Sequence, residues 1–562
     1  MEARRSALLP FSARMAEDEP TATRPSACED AHPTTASQSA SDLAWDAASL
    51  RRRRIKDALL CISLANLCFI QAWAGVLYEG DHGFFKQTPV TGTTLLALLL
   101  NIGGAALVFW LGAQWVRRRK EHAVRFAADA ALCLLLLVPL NFLRITYLEL
   151  PGTAIIVWGK KTAAMLLGLV VAASFVYWHR FWGRLARVVL GIFLPLVLFT
   201  LAQLGLAWIP LATPVAARPG PSPAWQYLAG PDQPRVVWII FDEMDRRLVF
   251  DQRPAGVELP ELDRLHRESL DATNGFSPAG ATFLALPSLI SGRTAASVTT
   301  ASASDLNIVW QDSREHGTLA TSPNVFSRAR ALGLNTAIVG WYLPYGRLLA
   351  ASANRIEWMP SPWTETARAS GLGSTMRNQI CSMLPFLHTR LLTVERIHGL
   401  LASAREVAAD TNTHLAFLHL PLPHRPAIYR ASTGKFTAFN FSMPGGYFDN
   451  LALCDRVLGE LRRGIAEAGL GNRTWLLVSS DHWWRESYCA DGKTDHRVPF
   501  LLKAPRDDKP GTFGARFSTV VSQALLLAIL QGEVRDHEGA AAWLEQHRVP
   551  PPNGYGKIGE PL

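Results

Sequence analysis

The sequence predicts two parts of different class. An α-helical membrane bundle of about five spans comes first, and an α/β domain with a mostly parallel central sheet follows. Three observations carry this. Of 562 residues, 49% are hydrophobic and only 18% charged, below the ~25% charged of ordinary soluble chains. The long apolar runs fall almost entirely between residues 55 and 210. Beyond residue 235, short apolar runs alternate with helical patterns, the signature of strands separated by helices. A disordered chain and a small disulfide scaffold are both excluded.

Residues 1–50 are rich in Ala, Ser, Thr and Pro without periodicity, and read as a disordered cytoplasmic tail. The first long apolar run begins too late for a cleaved signal peptide. Residues 51–210 form the expected transmembrane domain, with spans at 57–78, 93–115, 126–147, 162–180 and 188–209. Each has about the ~20 residues that a membrane-crossing helix needs. Basic groups alternate with the spans: Arg51–Arg54 with Lys56, Arg117–Lys120 with Arg125, and Arg180, Arg184 and Arg187. By the positive-inside rule these face the cytoplasm. Lys160 and Lys161 are the exception. An odd number of spans then places the rest of the chain in the periplasm of a bacterial inner membrane. One span fewer places it in the cytoplasm. The net charge of +9 therefore reports topology, and no interleaved basic and aromatic platform suggests nucleic acid.

Residues 211–234, crowded with Pro, Gly and Ala, read as a linker, and 235–562 as the second domain. Seven cysteines are present, and only Cys381, Cys454 and Cys489 fall in this domain. At most one disulfide forms there, and no pair has metal-ligand spacing. Strands are expected at 235–241, 335–341, 414–420 and 475–480, and a helix at 447–468.

In such sheets ligands bind beyond the carboxyl ends of the strands. Asp242 and Glu243 follow the first strand. His419 lies in the third, which leads to His424. Asp481 and His482 follow the last. Carboxylates with imidazole suit zinc or manganese. Thr282, after Gly280 and Ala281 at the mouth of a helical run, is the candidate nucleophile, and a hydroxyl there needs a metal or base to activate it. A threonine in that place is also an ordinary helix N-cap. His419, inside an apolar run, reads as structural.

The motifs taken together resemble the alkaline phosphatase superfamily in its sulfatase-like branch, and most closely the membrane phosphoethanolamine transferases that modify lipid A. VVWIIFDEM supplies Asp242 and Glu243, Thr282 precedes Pro287 by five residues, and SSDHWW supplies Asp481 and His482. FLHLPLPHRPAIY supplies His419, His424, Pro426 and Tyr429. YFDNLALCD supplies Asp449, Asn450 and Asp455, and DHRVPFLL supplies His496. The resemblance runs from about 235 to 505. It implies a divalent metal, zinc first with manganese, magnesium or calcium also suited, held by Glu243, with or without Asp242, and by Asp481, His482 and Thr282. It implies a phospho-threonine at Thr282, with His424 and His496 holding phosphate oxygens or protonating the leaving group. The donor is then a phospholipid and the acceptor lipid A or another envelope glycan. Asp449, Asn450 and Asp455 read as supporting residues.

True sulfatases are similar but convert a Cys or Ser, placed before x-Pro-Ser-Arg, to formylglycine. Here that frame reads Ala285-Leu286-Pro287-Ser288-Leu289, with Ala at the modifiable position and no Arg, which speaks against formylglycine chemistry. Trp483 and Trp484 stand where the family has Gly-Glu, and can narrow the acceptor pocket or stack a sugar. Two other classes stay open. One is a membrane-anchored hydrolase of phosphodiesters or sulfate esters, which shares every named residue. The other is a non-enzymatic scaffold, which predicts broken metal ligands.

Overall fold

The computed structural model describes residues 37–78, 84–85, 90–148, 158–209, 224, 233–360 and 371–552. Residues 1–36 of the expected tail and most of the expected linker lie outside these.

The N-terminal part is helical: α1 (Ser37–Cys68), α2 (Ile70–Leu77), α3 (Gly92–Arg118), α4 (His122–Thr146), α5 (Trp158–Ile192) and α6 (Leu194–Ala207). Among the described residues, α3, α4 and the Met165–Ile192 stretch of α5 are long and apolar enough to cross a bilayer, and α1 with α2, bent by 63°, makes a fourth. Two expectations are corrected here. Residues 37–50, assigned to a structureless tail, belong to α1. Arg180, Arg184 and Arg187, assigned to a loop, lie within α5, whose only non-helical backbone is at Trp178.

The second part is built on an eight-stranded sheet. Its strands are β1 (Arg235–Phe241), β2 (Leu270–Ala272), β3 (Thr336–Tyr342), β4 (Arg355–Pro360), β5 (Leu415–Leu420), β6 (Thr474–Ser480), β7 (Phe500–Lys503) and β8 (Gly511–Phe513), in the order β8-β2-β7-β6-β1-β5-β3-β4. Pairing is parallel except on either side of β7. All four expected strands are present within a residue or two. All seven residues of β1 are buried, as a strand covered on both faces requires. Val236, Trp238 and Ile240 join one core, and Val237, Ile239 and Phe241 the other. Arg235 survives this burial because its guanidinium donates to Thr413 O at 2.8 Å and Ala408 O at 2.7 Å.

The helices of this part include α7 (Pro260–Arg267), α8 (Thr282–Ser291), α9 (Val325–Ala331), α10 (Tyr345–Leu348), α11 (Leu372–Cys381), α12 (Pro385–Ala409) and α13 (Gly445–Glu467). Arg235 meets the carboxyl end of α12, where a cation complements the unpaired carbonyls. Among the described residues, Cys381, Cys454 and Cys489 form no disulfide.

Candidate active site

β1 lies between β5 and β6, so three parallel strands deliver their carboxyl ends side by side. Asp242 follows β1, His419 is the last residue but one of β5, and Asp481 and His482 follow β6. Asp242, His419 and Asp481 are all buried, and each offers a ligand atom within 4.8 Å of the others. His419 Nε2 lies 3.7 Å from Asp242 Oδ2. His482 Nε2 lies 3.8 Å from Asp242 Oδ1 and 3.5 Å from Asp481 Oδ2. Thr282 Oγ1 is 3.2 Å from the same nitrogen.

These residues fit a divalent cation. Both Asp242 oxygens, Asp481 Oδ2 and His419 Nε2 are buried without a hydrogen-bond partner, and each such atom costs ~1–3 kcal/mol if left so. A cation among them satisfies carboxylate and imidazole together. Asp481 Oδ1 is already occupied, accepting from His482 N at 2.8 Å and Glu243 N at 3.3 Å, which leaves Oδ2 for the cluster.

Electrostatics follow the geometry. Burial works against the charged form of Asp242, but His424, His419 and His482 outweigh it and hold the carboxyl below its ordinary range. For Asp481, burial and the Asp242 charge prevail and raise it. Burial opposes a charge on His482 too, yet Asp481, Asp242 and Glu243 raise its affinity for a proton. His482 Nδ1 is 2.9 Å from Trp483 O. A carbonyl only accepts, so Nδ1 carries hydrogen and Nε2 faces the Thr282 hydroxyl.

Thr282 is the first residue of α8. The N-cap is Ala281, and no side chain caps this helix. The capping alternative therefore falls, and the hydroxyl is free to point at His482. Gly280 lets this happen, since a Cβ there would lie 2.6 Å from the Trp483 ring.

The order of the first two acids is reversed from expectation. Asp242 enters the cluster, while Glu243 adopts a left-handed φ of 66° and its Oε1 accepts from Arg485 Nε at 3.0 Å. Its Oε2 is buried and unpaired. Tyr447 holds this turn, donating to Glu243 O at 2.9 Å and accepting from Asp245 N at 3.0 Å.

His424 and His496 lie outside the three-residue cluster. The His424 ring sits 5.3 Å from that of Trp341, and its backbone N donates to Asp242 O at 3.1 Å. The His496 ring lies 4.2 Å from that of Trp483, and burial lowers its pKa. Asn450 braces the His424 loop, donating to Pro423, His424 and Pro426 carbonyls. Asp449 accepts from Ala431 N and Asn440 Nδ2. Trp484 is corrected: it is buried and stacked on Tyr447 at 3.8 Å, so it cannot stack a sugar.

His419, read as structural, is the residue the sequence reading undervalued. Its Nδ1 is 3.0 Å from the Tyr345 hydroxyl, which fixes the ring and turns Nε2 to Asp242. Gly340 makes room, because a Cβ there would overlap the Tyr345 ring. Its signal was position: a histidine near the end of a strand paired with β1. A second unexpected feature is an aromatic pair from the loop before α3. Phe84 is buried in the α/β core. Phe85 packs 5.4 Å from Phe283, next to Thr282, and 5.0 Å from Tyr342.

A doubly wound α/β domain with a hydroxyl facing a buried carboxylate and imidazole cluster is the class that fold and site define. The family model described as Sulfatase matches residues 234–550, more than half of the sequence. The chain belongs to the sulfatase family. Among solved structures it is similar to Ps i-CgsB in complex with k-i-k-neocarrahexaose, at 12% identity and TM-score 0.40, covering 56% of this chain and 77% of that one. It is similar to the phosphonate monoester hydrolase of Agrobacterium radiobacter, at 13% identity and TM-score 0.38, covering 53% and 74%. It is also similar to the lipoteichoic acid synthase LtaP from Listeria monocytogenes, at 13% identity and TM-score 0.35, covering 55% and 75%. No curated protein matches the sequence.

Proposed function

We propose that this chain is a metal-dependent phosphotransferase. It moves a phospholipid headgroup, of the phosphoethanolamine or phosphoglycerol type, through a phospho-threonine to lipid A or another envelope glycan. In this reading it is a five-span protein of a bacterial inner membrane, with its catalytic domain in the periplasm and its N-terminus in the cytoplasm. The observation that carries the chemistry is the Thr282 hydroxyl, 3.2 Å from His482 Nε2 at the edge of the carboxylate cluster.

Thr282 Oγ forms the new bond to phosphorus, and His482 Nε2 takes its proton. The phosphorus–oxygen bond to the leaving alcohol breaks, and that oxygen takes a proton from His424 or His496. The acceptor hydroxyl then attacks the phospho-threonine and gives its proton to the histidine that protonated the leaving alcohol, while Thr282 recovers its proton from His482. Asp242, His419 and Asp481 would hold the divalent cation, zinc first, which would supply positive charge at the phosphoryl oxygens. The open backbone N–H groups of the first turn of α8 favour the same anion.

Membership of the sulfatase family also favours a second reading, a hydrolase of phosphodiesters or sulfate esters. One measurement separates them: intact mass of the full chain after incubation with phospholipid vesicles, beside Thr282→Ala. A headgroup-sized increase on the unaltered chain only supports the transferase. Metal without an adduct turns the reading to the hydrolase. Neither metal nor adduct removes the enzymatic reading.

A further inference from the structure

We propose that the α11–α12 corner of the catalytic domain, with the Phe439–Phe441 loop, is a lipid-contacting surface that seats this domain in the outer edge of the bilayer. The inference rests on the membrane-spanning reading of α3.

Among the described residues the catalytic domain carries few large exposed apolar side chains, and half of them gather here. Ile380 is 50% exposed, Leu384 62%, Phe386 57%, Phe439 61% and Phe441 54%. They are organised. Phe386 and Phe441 stack at 5.4 Å with planes 25° apart, and Phe439 meets Phe441 edge-on at 6.3 Å. The guanidinium of Arg390 lies 4.8 Å from the Phe386 ring centre and 4.7 Å from that of Phe441. Arg390 is itself anchored, donating to Ala427 O and Asn440 O. A fixed, water-facing aromatic cluster of this kind marks an interaction surface.

Its neighbour identifies the occupant. α11 lies along the first turns of α3. Gln379 donates to Thr94 O at 3.1 Å and accepts from Asn101 Nδ2 at 2.9 Å, and Asn101 also donates to Met376 O. Met383 packs against the apolar cluster of the membrane helices. The other end of α3 is basic, at Arg117 and Arg118, and marks the cytoplasmic boundary. A hydrocarbon core takes ~20 helical residues, which counted back from Arg117 ends near residue 97. Asn101 therefore lies about 6 Å inside that limit, at ~1.5 Å per residue. The contact that docks α11 sits at the depth of the lipid tails, and the exposed rings a few residues on are continuous with it. Aromatic and aliphatic residues flanked by an arginine suit the headgroup region.

The test is photo-crosslinking of the full chain in nanodiscs of a single phospholipid, with benzoylphenylalanine placed at Phe386, Phe439 or Phe441 in turn. Leu107, 55% exposed on α3, is the lipid-facing control. Leu332, 43% exposed just before β3 begins and so at the sheet edge away from the strand ends, is the water-facing control. The expected result is a mass increase of one phospholipid at the three aromatic positions and at Leu107, and none at Leu332. Should one variant fail to fold, the other two read the same surface. Lipid at Leu107 but none at any aromatic position overturns the proposal and leaves the membrane reading intact. Crosslinks from these positions to a second protein chain overturn it in favour of a protein interface. No lipid even at Leu107 removes the spanning reading of α3, and the proposal with it.

Discussion

Thr282 reaches the cluster because Ala281, one residue earlier, takes the N-cap place. The formylglycine position of the related frame falls at Ala285, fully buried within α8, so a hydroxyl one turn earlier is what this site has to work with. Asp481, His482 and Thr282 were legible in the sequence because strand ends and a helix mouth announce themselves locally. His419 was not, because its value comes from register. It pairs with Ile240, two residues before Asp242, and no local pattern reveals that. The cluster predicts a separation between two neighbours of Asp242. His419→Ala should lower bound metal at least tenfold in elemental analysis of the purified chain, and Glu243→Gln should keep most of it. Full metal in His419→Ala would return that residue to a structural role. Gly280→Ala should leave the fold cooperative but cut turnover ~10–100-fold. Its Cβ pushes Trp483 away from the α8 entrance, and overpacking of this kind costs ~1–3 kcal/mol. Turnover beside thermal unfolding checks this, and an unchanged rate would show that Trp483 yields without consequence.

At the scale of elements, the YFDN…D helix shows why a motif can be right while its roles stay hidden. Asp455 of α13 accepts from Leu262 N at 2.7 Å, so it satisfies an open N–H of α7, a helix without a side-chain N-cap. Asp245 similarly accepts from Leu248 N at 3.1 Å, where the chain turns after β1. Both carboxyls pay for their positions: burial pushes Asp245 up to about 7 and Asp455 up to about 6. In the unfolded chain both titrate near the ordinary 3.8. Between pH ~4 and ~7 the folded state therefore binds more protons, and its stability falls as pH rises through that window. The contribution is complete below about pH 4 and is lost by about pH 7. Unfolding midpoints of the full chain in detergent should decline from pH 5 to pH 7, and Asp245→Asn, which keeps the acceptor for Leu248, should flatten the slope. A variant with the same slope would exclude Asp245 as its source.

For the whole molecule, the side on which the catalytic domain lies depends on whether the chain crosses the bilayer an odd number of times, and that parity is decided near Trp178. Apolar helices were legible from hydropathy, but the join between the expected fourth and fifth spans was not, because residues 180–187 are helical. Phe175, His179, Gly183 and Arg187 recur at one-turn intervals and all meet the first two turns of α4. Phe175 lies 5.4 Å from Phe126. His179 is 3.1 Å from Asp129 and 3.3 Å from His122. Gly183 leaves room for the Asp129 carboxylate, and Arg187 reaches it at 3.2 Å. Twelve residues of α5, about 18 Å, thus stay against seven residues of α4, about 10 Å. This stretch crosses α4 and does not travel alongside it through the bilayer. It also sits beside the basic Arg117–Arg119 stretch, and we expect Arg180, Arg184 and Arg187 on the same, cytoplasmic side, since cations are costly in hydrocarbon. What remains, residues 188–209, is about 33 Å of helix if fully wound, long enough for a separate crossing despite the break at Phe193. We therefore expect five crossings. Alkaline phosphatase fused after residue 562 should be active and a fluorescent protein there dark, with the reverse pattern after residue 120. Fluorescence at both positions would mean an even count, a helix α5 that passes straight through, and a catalytic domain facing the cytoplasm, out of reach of any acceptor beyond the inner membrane.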